Sequence, residues 1–523
     1  MADMLDTTNP IQWLAVLAPF TAVLPILYIL YQSILPKPIP GIPYSKHAAK
    51  SIFGDIPDMK RELPGNLLSW IGQDILLRRK ELDRSSFMSN VLSGEAKFFY
   101  IILKTGLVAA PNIYKSALCL LDLWKRKAYL AEGRAFSAEN DVFYAALDAV
   151  LDFGFGDAAP MRALIPQVEL LASMSAANGM AEQSSAHYTD VLEFPTASID
   201  PGLEATLQSA ENVGGVAMTG FPKLAWSVIG LRPSVRRGRA VRDDFLVDQV
   251  LQASDRFKTQ LRDVDNEDKH VKSAIDLMVR RLNSVMEKEG HLLPDWIETM
   301  RAEHNPLLGH QFIADDQAVQ QRLFESIQSF HTAASSEGRL PTHAEICDAN
   351  IPYLDAVIEE MLRLAHTATS QDRECREDTV ILGHVIPRGT TVIVPNQGPS
   401  FTEPGYEIEE RLRSPSSRKA AADFGSRVWD SHEMGRFEPD RWLVRDEKGN
   451  DEYNASAGPT LPFGLGLRGC FGRKLAYMEM KLLITLLIWS FEFQKCPENL
   501  SSYESITSLT RKPVQCYVRL KVR

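Results

Sequence analysis

The stretch Leu-Pro-Phe-Gly-Leu-Gly-Leu-Arg-Gly-Cys-Phe-Gly-Arg-Lys-Leu-Ala-Tyr-Met-Glu, residues 461–479, sets the reading of the rest of the chain. Gly464, Gly466 and Gly469 lead into Cys470, Gly472 follows, and an apolar-periodic run then begins. Glycine admits backbone angles closed to other residues and leaves room for a flat group against the main chain. A thiol where a loop turns into a helix faces the positive end of the helix dipole, which favours the thiolate that a metal binds. A lone cysteine in such a place is more often a buried structural thiol beside an N-cap. The spacing Phe463-x-x-Gly466-x-Arg468-x-Cys470-x-Gly472 fixes five positions in ten residues and moves the reading toward a ligand.

Two further motifs precede this loop. In residues 351–364 the apolar side chains Leu354, Val357, Ile358, Met361 and Leu362 mark one face of a helix that also carries Glu360 and Arg363. Glutamate and arginine at i and i+3 share a helix face and can pair. Taken alone, such a pair is usually a surface ion pair of small consequence. Downstream, Phe437-Glu-Pro-Asp-Arg441-Trp442 sets another arginine in a turn.

Glu-x-x-Arg, Pro-x-Arg-Trp and the cysteine loop, in this order, resemble the cytochromes P-450, the haem-thiolate monooxygenases. The resemblance implies a mainly α fold with small β-sheets (α+β), preceded by an N-terminal transmembrane helix. It implies that the Cys470 thiolate ligates the iron of haem b, with Phe463, Gly466 and Gly472 as further cofactor-binding residues of the loop. Arg468, inside the signature, would hold a haem propionate through paired, charge-assisted hydrogen bonds. Arg373 stands where the family often places a second such arginine, a surface arginine being the other reading. Glu360, Arg363 and Arg441 would form a structural network that locks the cysteine loop. The implied reaction inserts one oxygen atom from O2 into a hydrophobic small molecule. With no flavin or dinucleotide motif in the chain, the electrons would come from NADPH through a separate reductase, and Arg473 and Lys474 would help dock it.

Composition is that of an ordinary folded protein. The 523 residues are 45 % hydrophobic and carry a formal net charge of −10, which argues against a nucleic-acid partner. Six scattered cysteines without a C-x-x-C pair suit a reducing compartment. Residues 11–35 contain no charge, and a helix of that length spans roughly 37 Å against a bilayer core of about 30 Å. Acidic Asp3 and Asp6 before this run, and Lys37, Lys46 and Lys50 after it, orient the bulk of the chain toward the cytosol. A buried core helix containing Pro19 and Pro25 is the alternative. The organisation expected is an anchor over residues 1–35 and a haem-binding domain over 36–523, held by resemblance at the endoplasmic reticulum. Four prolines in residues 36–43 make a stiff spacer between them.

Elsewhere, residues 116–131 and 139–153 have helical periodicity, and Lys125, Arg126 and Lys127 read as a solvated basic face. Trp124 has Ala128, not arginine, four residues on, so the family's Trp-x-x-x-Arg motif is unmatched. Apolar residues 221–231 before basic residues 232–239 suit either a membrane-surface contact or a helix pair with a charged loop. Residues 263–268 form an acidic turn, and residues 411–422 look like an exposed insertion. Residues 380–382 and 391–394 read as strands around the turn Pro387-Arg-Gly389, and residues 501–522 as a terminal hairpin. The largest departure from the family lies in residues 296–313, which hold no Gly-x-Asp-Thr. Pro306 interrupts that stretch, and Glu298-Thr299 lacks the glycine. Three accounts stay open: missing coding segments, a haem-binding member without activity, or different distal chemistry.

Overall fold

Helices carry most of the described chain, as the sequence predicts. The computed structural model describes residues 78–79, 110–155, 162–174, 191–217, 222–260 and 309–523, with short gaps at 369, 406–408, 414, 416–417, 420–428, 430–432, 465–468, 471 and 508–510. The helices are α1 (110–131), α2 (Glu139–Phe155), α3 (Leu164–Ser173), α4 (Pro201–Ala217), α5 (Pro222–Ile229), α6 (Pro233–Gln260), α7 (His310–Asp315), α8 (Gln317–Phe330), α9 (Thr332–Ser336), α10 (His343–Asp348), α11 (Pro352–Ala365) and α12 (Arg473–Ser490). The strands are β1 (Arg78–Arg79), β2 (Phe136–Ser137), β3 (Ser370–Glu374), β4 (Thr379–Ile381), β5 (His384–Ile386), β6 (Thr390–Pro395), β7 (Leu443–Arg445), β8 (Asp451–Tyr453), β9 (Phe491–Gln494), β10 (Ser505–Thr507), β11 (Arg511–Pro513) and β12 (Tyr517–Val522). Among the described residues no helix is long and apolar enough to cross a membrane. The anchor predicted at residues 11–35, the proline-rich spacer, the acidic turn at 263–268 and most of the 296–313 stretch lie outside the described residues.

The described residues fall into two compact units. The smaller takes in residues 78–79, 372–394 and 409–413. In it β6 pairs antiparallel with β1 and also borders β3. Both predicted strands are present, but β4 pairs with β5, Thr379 opposite Ile386, and not with β6 across residues 387–389. The reason is the turn Leu382-Gly383, where both residues have positive φ, +49° and +82°. Two left-handed residues in a row match the twist of a tight hairpin. A leucine seldom takes that conformation, so the sequence gives little warning of it. Where described, residues 411–419 are mostly exposed, as expected of an insertion.

The larger unit is built around α12. Leu482, Leu483, Ile484, Leu486, Leu487 and Ile488 are all buried, so the second half of this helix is enclosed on every side, and the helix packs against α8, α10 and α11. Such enclosure is the mark of a central helix in a large core. The packing helices have well-made starts: Asp316 accepts from the N–H groups of Ala318 and Val319 to cap α8, and Thr342 with Glu345 forms a capping box on α10. One end of the core is aromatic, with Trp124 meeting Phe136, Phe491 and Phe493 edge to face. The last three rings stand on β2 and β9, which flank β12 in one sheet. The predicted terminal hairpin is therefore divided: β10 and β11 pair with each other, and β12 leaves to join β9 and β2.

The basic face on α1 needs a correction. Lys125 and Arg126 are exposed, but Lys127 is 7 % exposed and its Nζ lies 2.8 Å from both carboxylate oxygens of Asp141 on α2. Trp124 Nε1 donates to the same carboxylate at 3.0 Å. A buried ammonium needs a counter-charge, and here that charge sits on the following helix, fourteen residues away. The basic run after α5 also lies on a helix and not in a loop. The guanidinium of Arg239 on α6 packs 4.5 Å from the Trp226 ring of α5, while Leu224, Val228 and Leu231 stay exposed.

Candidate functional site

Pro352 opens α11 at a position where its missing N–H costs nothing, and His366 closes it in the left-handed region at φ 45°. Between them the predicted apolar face is buried, and so are Glu359, Glu360 and Arg363. Charged groups withdrawn from water this completely must be paired. The Glu360–Arg363 pair is bidentate, Arg363 Nε and Nη2 donating to Glu360 at 2.7 and 2.6 Å, and both side chains are fully buried. It is no surface ion pair. Arg363 also donates to the carbonyls of Phe401 at 2.6 Å, Met434 at 2.7 Å and Arg436 at 3.1 Å. Glu360 in turn accepts from the Glu438 N–H at 3.0 Å and from Trp442 Nε1 at 2.8 Å.

Arg441 completes the predicted trio at longer range, its Nε 3.6 Å from Glu360 Oε1. Its Nη2 donates to the Glu433 carbonyl at 2.6 Å. Burial draws the Arg441 guanidinium below its ordinary pKa, with Glu360 opposing the shift. Both arginines stack 5.2 Å from the ring of Trp429, which meets Trp442 edge to face. Trp429 was not visible as part of this network from the sequence, since nothing local distinguishes it from any partly buried tryptophan. The network thus fastens α11 to the segment around residues 401 and 433–442.

The cysteine loop is tied by different bonds. Cys470 N–H donates to the Phe463 carbonyl at 2.6 Å, which closes the turn, and Arg473 N–H reaches the Cys470 carbonyl at 3.5 Å as α12 begins. Gly464 takes φ +65°, and a Cβ there would press on the Gln371 amide at 3.1 Å. Cys470 is half-buried, two residues before the buried Gly472 that precedes α12. The Phe463 ring lies 5.5 Å from that of Tyr477, one turn into the helix. Gly466 and Arg468 lie outside the described residues. Arg373 stands on β3 in the smaller unit, exposed, with Nη1 donating to the Asp372 carbonyl at 2.9 Å.

These residues fit a thiolate-bound haem. A single soft sulfur donor stands at the N-terminal end of a helix, in a turn pinned by its own amide and lined by a left-handed glycine.

Similarity to known proteins agrees with this geometry. The sequence model of the cytochrome P450 family matches residues 310–398 and 428–518, so its break spans the predicted insertion. The chain is 35 % identical to cytochrome P450 monooxygenase TRI13 of Fusarium sporotrichioides, over 94 % of this chain and 97 % of that one. It is 30 % identical to cytochrome P450 monooxygenase xilC of Penicillium rubens, over 96 % of each. The first alignment runs over 577 positions, more than the 523 residues present here, so that relative carries residues with no counterpart in this chain. A solved structure, the cytochrome P450DA heme domain, aligns with 81 % of this chain and 76 % of its own at 16 % identity and a TM-score of 0.49. The near-complete match to two monooxygenases, joined to the buried Glu-x-x-Arg network and the cysteine loop, shows that this chain belongs to the cytochrome P450 family, as an oxidoreductase of the monooxygenase kind.

Proposed function

We propose that this protein inserts one oxygen atom of O2 into a hydrophobic small molecule, with electrons delivered from NADPH by a separate reductase. The observation that carries the reading is the turn at Cys470, its amide on the Phe463 carbonyl and its place three residues before the start of α12. Haem b held there by the Cys470 thiolate would supply the oxygen-activating centre. By the family resemblance Phe463, Gly466 and Gly472 would line the haem around that ligand, and Arg468 and Arg373 would be the guanidinium groups for the propionates. Glu360, Arg363 and Arg441 keep the flank of the site rigid.

Residues 11–35 supply the length and apolarity of a single membrane anchor, which would hold the catalytic part on the cytosolic face of the endoplasmic reticulum. Arg473 and Lys474 are exposed beside the cysteine loop and offer positive charge to an acidic reductase surface. The test uses full-length protein in vesicles with a microsomal reductase and NADPH. The reading expects a ferrous–carbon monoxide band near the thiolate position, its loss in Cys470→Ala, and oxygenated product over a lipophilic panel. A thiolate band without product from any substrate favours the haem-binding member without turnover. Charge reversal at Arg473 and Lys474 should slow iron reduction in a salt-dependent way, and unchanged rates would count against that docking site.

A further inference from the structure

The residue next to the family network makes the more direct tie to the cysteine loop. Glu359 is 1 % exposed and accepts three hydroxyl hydrogen bonds: from Tyr453 at 2.9 Å, Thr460 at 3.0 Å and Tyr477 at 2.6 Å. The donors come from three places, β8, the irregular segment leading into the loop, and α12. Thr460 and Tyr477 bracket the loop, ten residues before Cys470 and seven after it. Tyr477 also packs on Phe463, whose carbonyl holds the Cys470 amide. An unbroken path therefore runs from the Glu359 carboxylate through the Tyr477 hydroxyl and ring to Phe463 and the Cys470 backbone.

A carboxylate this deep ordinarily takes a cation, as Glu360 does with Arg363. The three partners of Glu359 given above are neutral hydroxyls. Hydrogen bonds onto a carboxylate acceptor are about twice as strong as neutral ones, and three of them from separate segments fix its position. Burial, and after it the Glu359 charge, push the hydroxyls of Tyr453 and Tyr477 well above the ordinary phenol range, so both stay donors at any working pH. The result is a buried acceptor behind the ligand loop, held by hydroxyls that stay protonated, with the Arg473 guanidinium 5.5 Å from the Tyr477 ring.

We infer that Glu359 is a positioning residue for the Cys470 ligand: its three-hydroxyl cradle clamps both ends of the loop and sets the field felt by the thiolate. This rests on the reading of Cys470 as the haem ligand, and the test separates the two. The variants are Tyr477→Phe, Glu359→Gln and, as a control that leaves both loop ties intact, Tyr453→Phe. Hydrogen–deuterium exchange of the peptide covering residues 461–473, measured on the purified full chain, reports the clamp without using haem. Exchange there should speed about tenfold in Tyr477→Phe and Glu359→Gln and little in Tyr453→Phe. Under carbon monoxide the same two variants should move part of the ferrous band from the thiolate to the thiol position, and Glu359→Gln should raise the reduction potential.

Unchanged exchange in Tyr477→Phe overturns the clamp, whether or not Glu359→Gln folds. Faster exchange with an unaltered band and potential overturns the positioning role, since a merely structural contact would behave so. A wild-type protein without any thiolate band sinks the ligand reading, and with it the positioning role, while the exchange data still decide the clamp.

Discussion

Two buried trios in this protein have the same parts and different reach. In each a carboxylate accepts from a tryptophan N–H and pairs with a cation: Asp141 with Trp124 and Lys127, and Glu360 with Trp442 and Arg363. Lysine is a compact charge with three donors, and two close contacts go to Asp141 while the Phe136 and Phe194 rings lie 5.7 and 5.2 Å from Nζ. That trio is closed on itself. Arginine spreads its donors over a planar fork, and Arg363 serves Glu360 on one side and three carbonyls between residues 401 and 436 on the other. The second trio is therefore a junction between α11 and chain up to about seventy residues away in sequence. The lesson is that a buried ion pair is only as structural as the additional groups its cation satisfies.

The largest effect should come from breaking the junction. Arg363→Lys keeps the charge but loses the fork, leaving buried carbonyls and part of Glu360 unmet. The expected cost is about 3–5 kcal/mol of unfolding free energy in urea titrations, with haem content falling in parallel. The double variant Glu360→Gln with Arg363→Met should recover little of it, because the carbonyls of Phe401, Met434 and Arg436 still lack a donor. Recovery to near wild-type stability would show that the pair matters for its charges alone.

The closed trio gives the opposite pattern. Lys127→Met leaves Asp141 buried without its cation and should also cost roughly 3–5 kcal/mol. Burial already pushes the Asp141 carboxyl above its usual range, with Lys127 pulling it back, so the variant will take up a proton at a higher pH than the wild type does. Adding Asp141→Asn removes the stranded charge and keeps an acceptor for Trp124 Nε1. That double variant should return to within about 1–2 kcal/mol of wild type. A double variant as unstable as the single one would mean that this trio, too, holds more than itself.

The contrast also explains what could be read from the sequence. Glu360 and Arg363 are legible because they sit three residues apart on one helix face and precede a cysteine loop of fixed spacing. The apolar face of α11, the turn around Arg441 and the helical content are local patterns, and they appear where expected. Lys127 was read as solvated because its partner, Asp141, lies on another helix and no local rule links them. Trp429 and the hydroxyls around Glu359 leave no trace in the sequence for the same reason: Tyr453, Thr460 and Tyr477 come from separate segments, and only packing brings them to one carboxylate. Strand pairing around residues 379–395 went astray through a left-handed leucine, a choice that the backbone makes against propensity.

A smaller effect concerns pH at the end of α11. His366 is buried in the left-handed cap, and burial, with Arg511 and Arg363 adding repulsion, lowers its pKa to about 3. The folded form thus holds a neutral imidazole that protonates near pH 6.5 once unfolded. Stability from this group is full above pH 6.5 and declines as pH falls toward 3, by about 1.4 kcal/mol per unit. Asparagine accepts the same backbone angles and does not titrate. Between pH 7 and pH 5 wild type should therefore lose roughly 2 kcal/mol more than His366→Asn in denaturant unfolding. Parallel pH profiles would place the acid sensitivity elsewhere.

The smallest effect belongs to a third arginine with a comparable set of partners in water. Arg322 on α8 donates to Asp440 at 2.6 Å and Asp451 at 3.1 Å, and its guanidinium lies 4.0 Å from the Tyr353 ring. On a contact diagram it rivals Arg363, with two carboxylates and an aromatic face. Its side chain is 41 % exposed, however, as are the carboxylates it meets, at 52 % and 41 %. Solvent screens the pair and hydrates whatever a mutation strands, so neither the gain nor the penalty of burial applies. Arg322→Met keeps the stem over Tyr353 and should cost less than about 1 kcal/mol, most of it gone in 1 M salt. A cost near that of Arg363→Lys would mean that exposure does not separate these arginines, and the ranking by buried partners would fall with it.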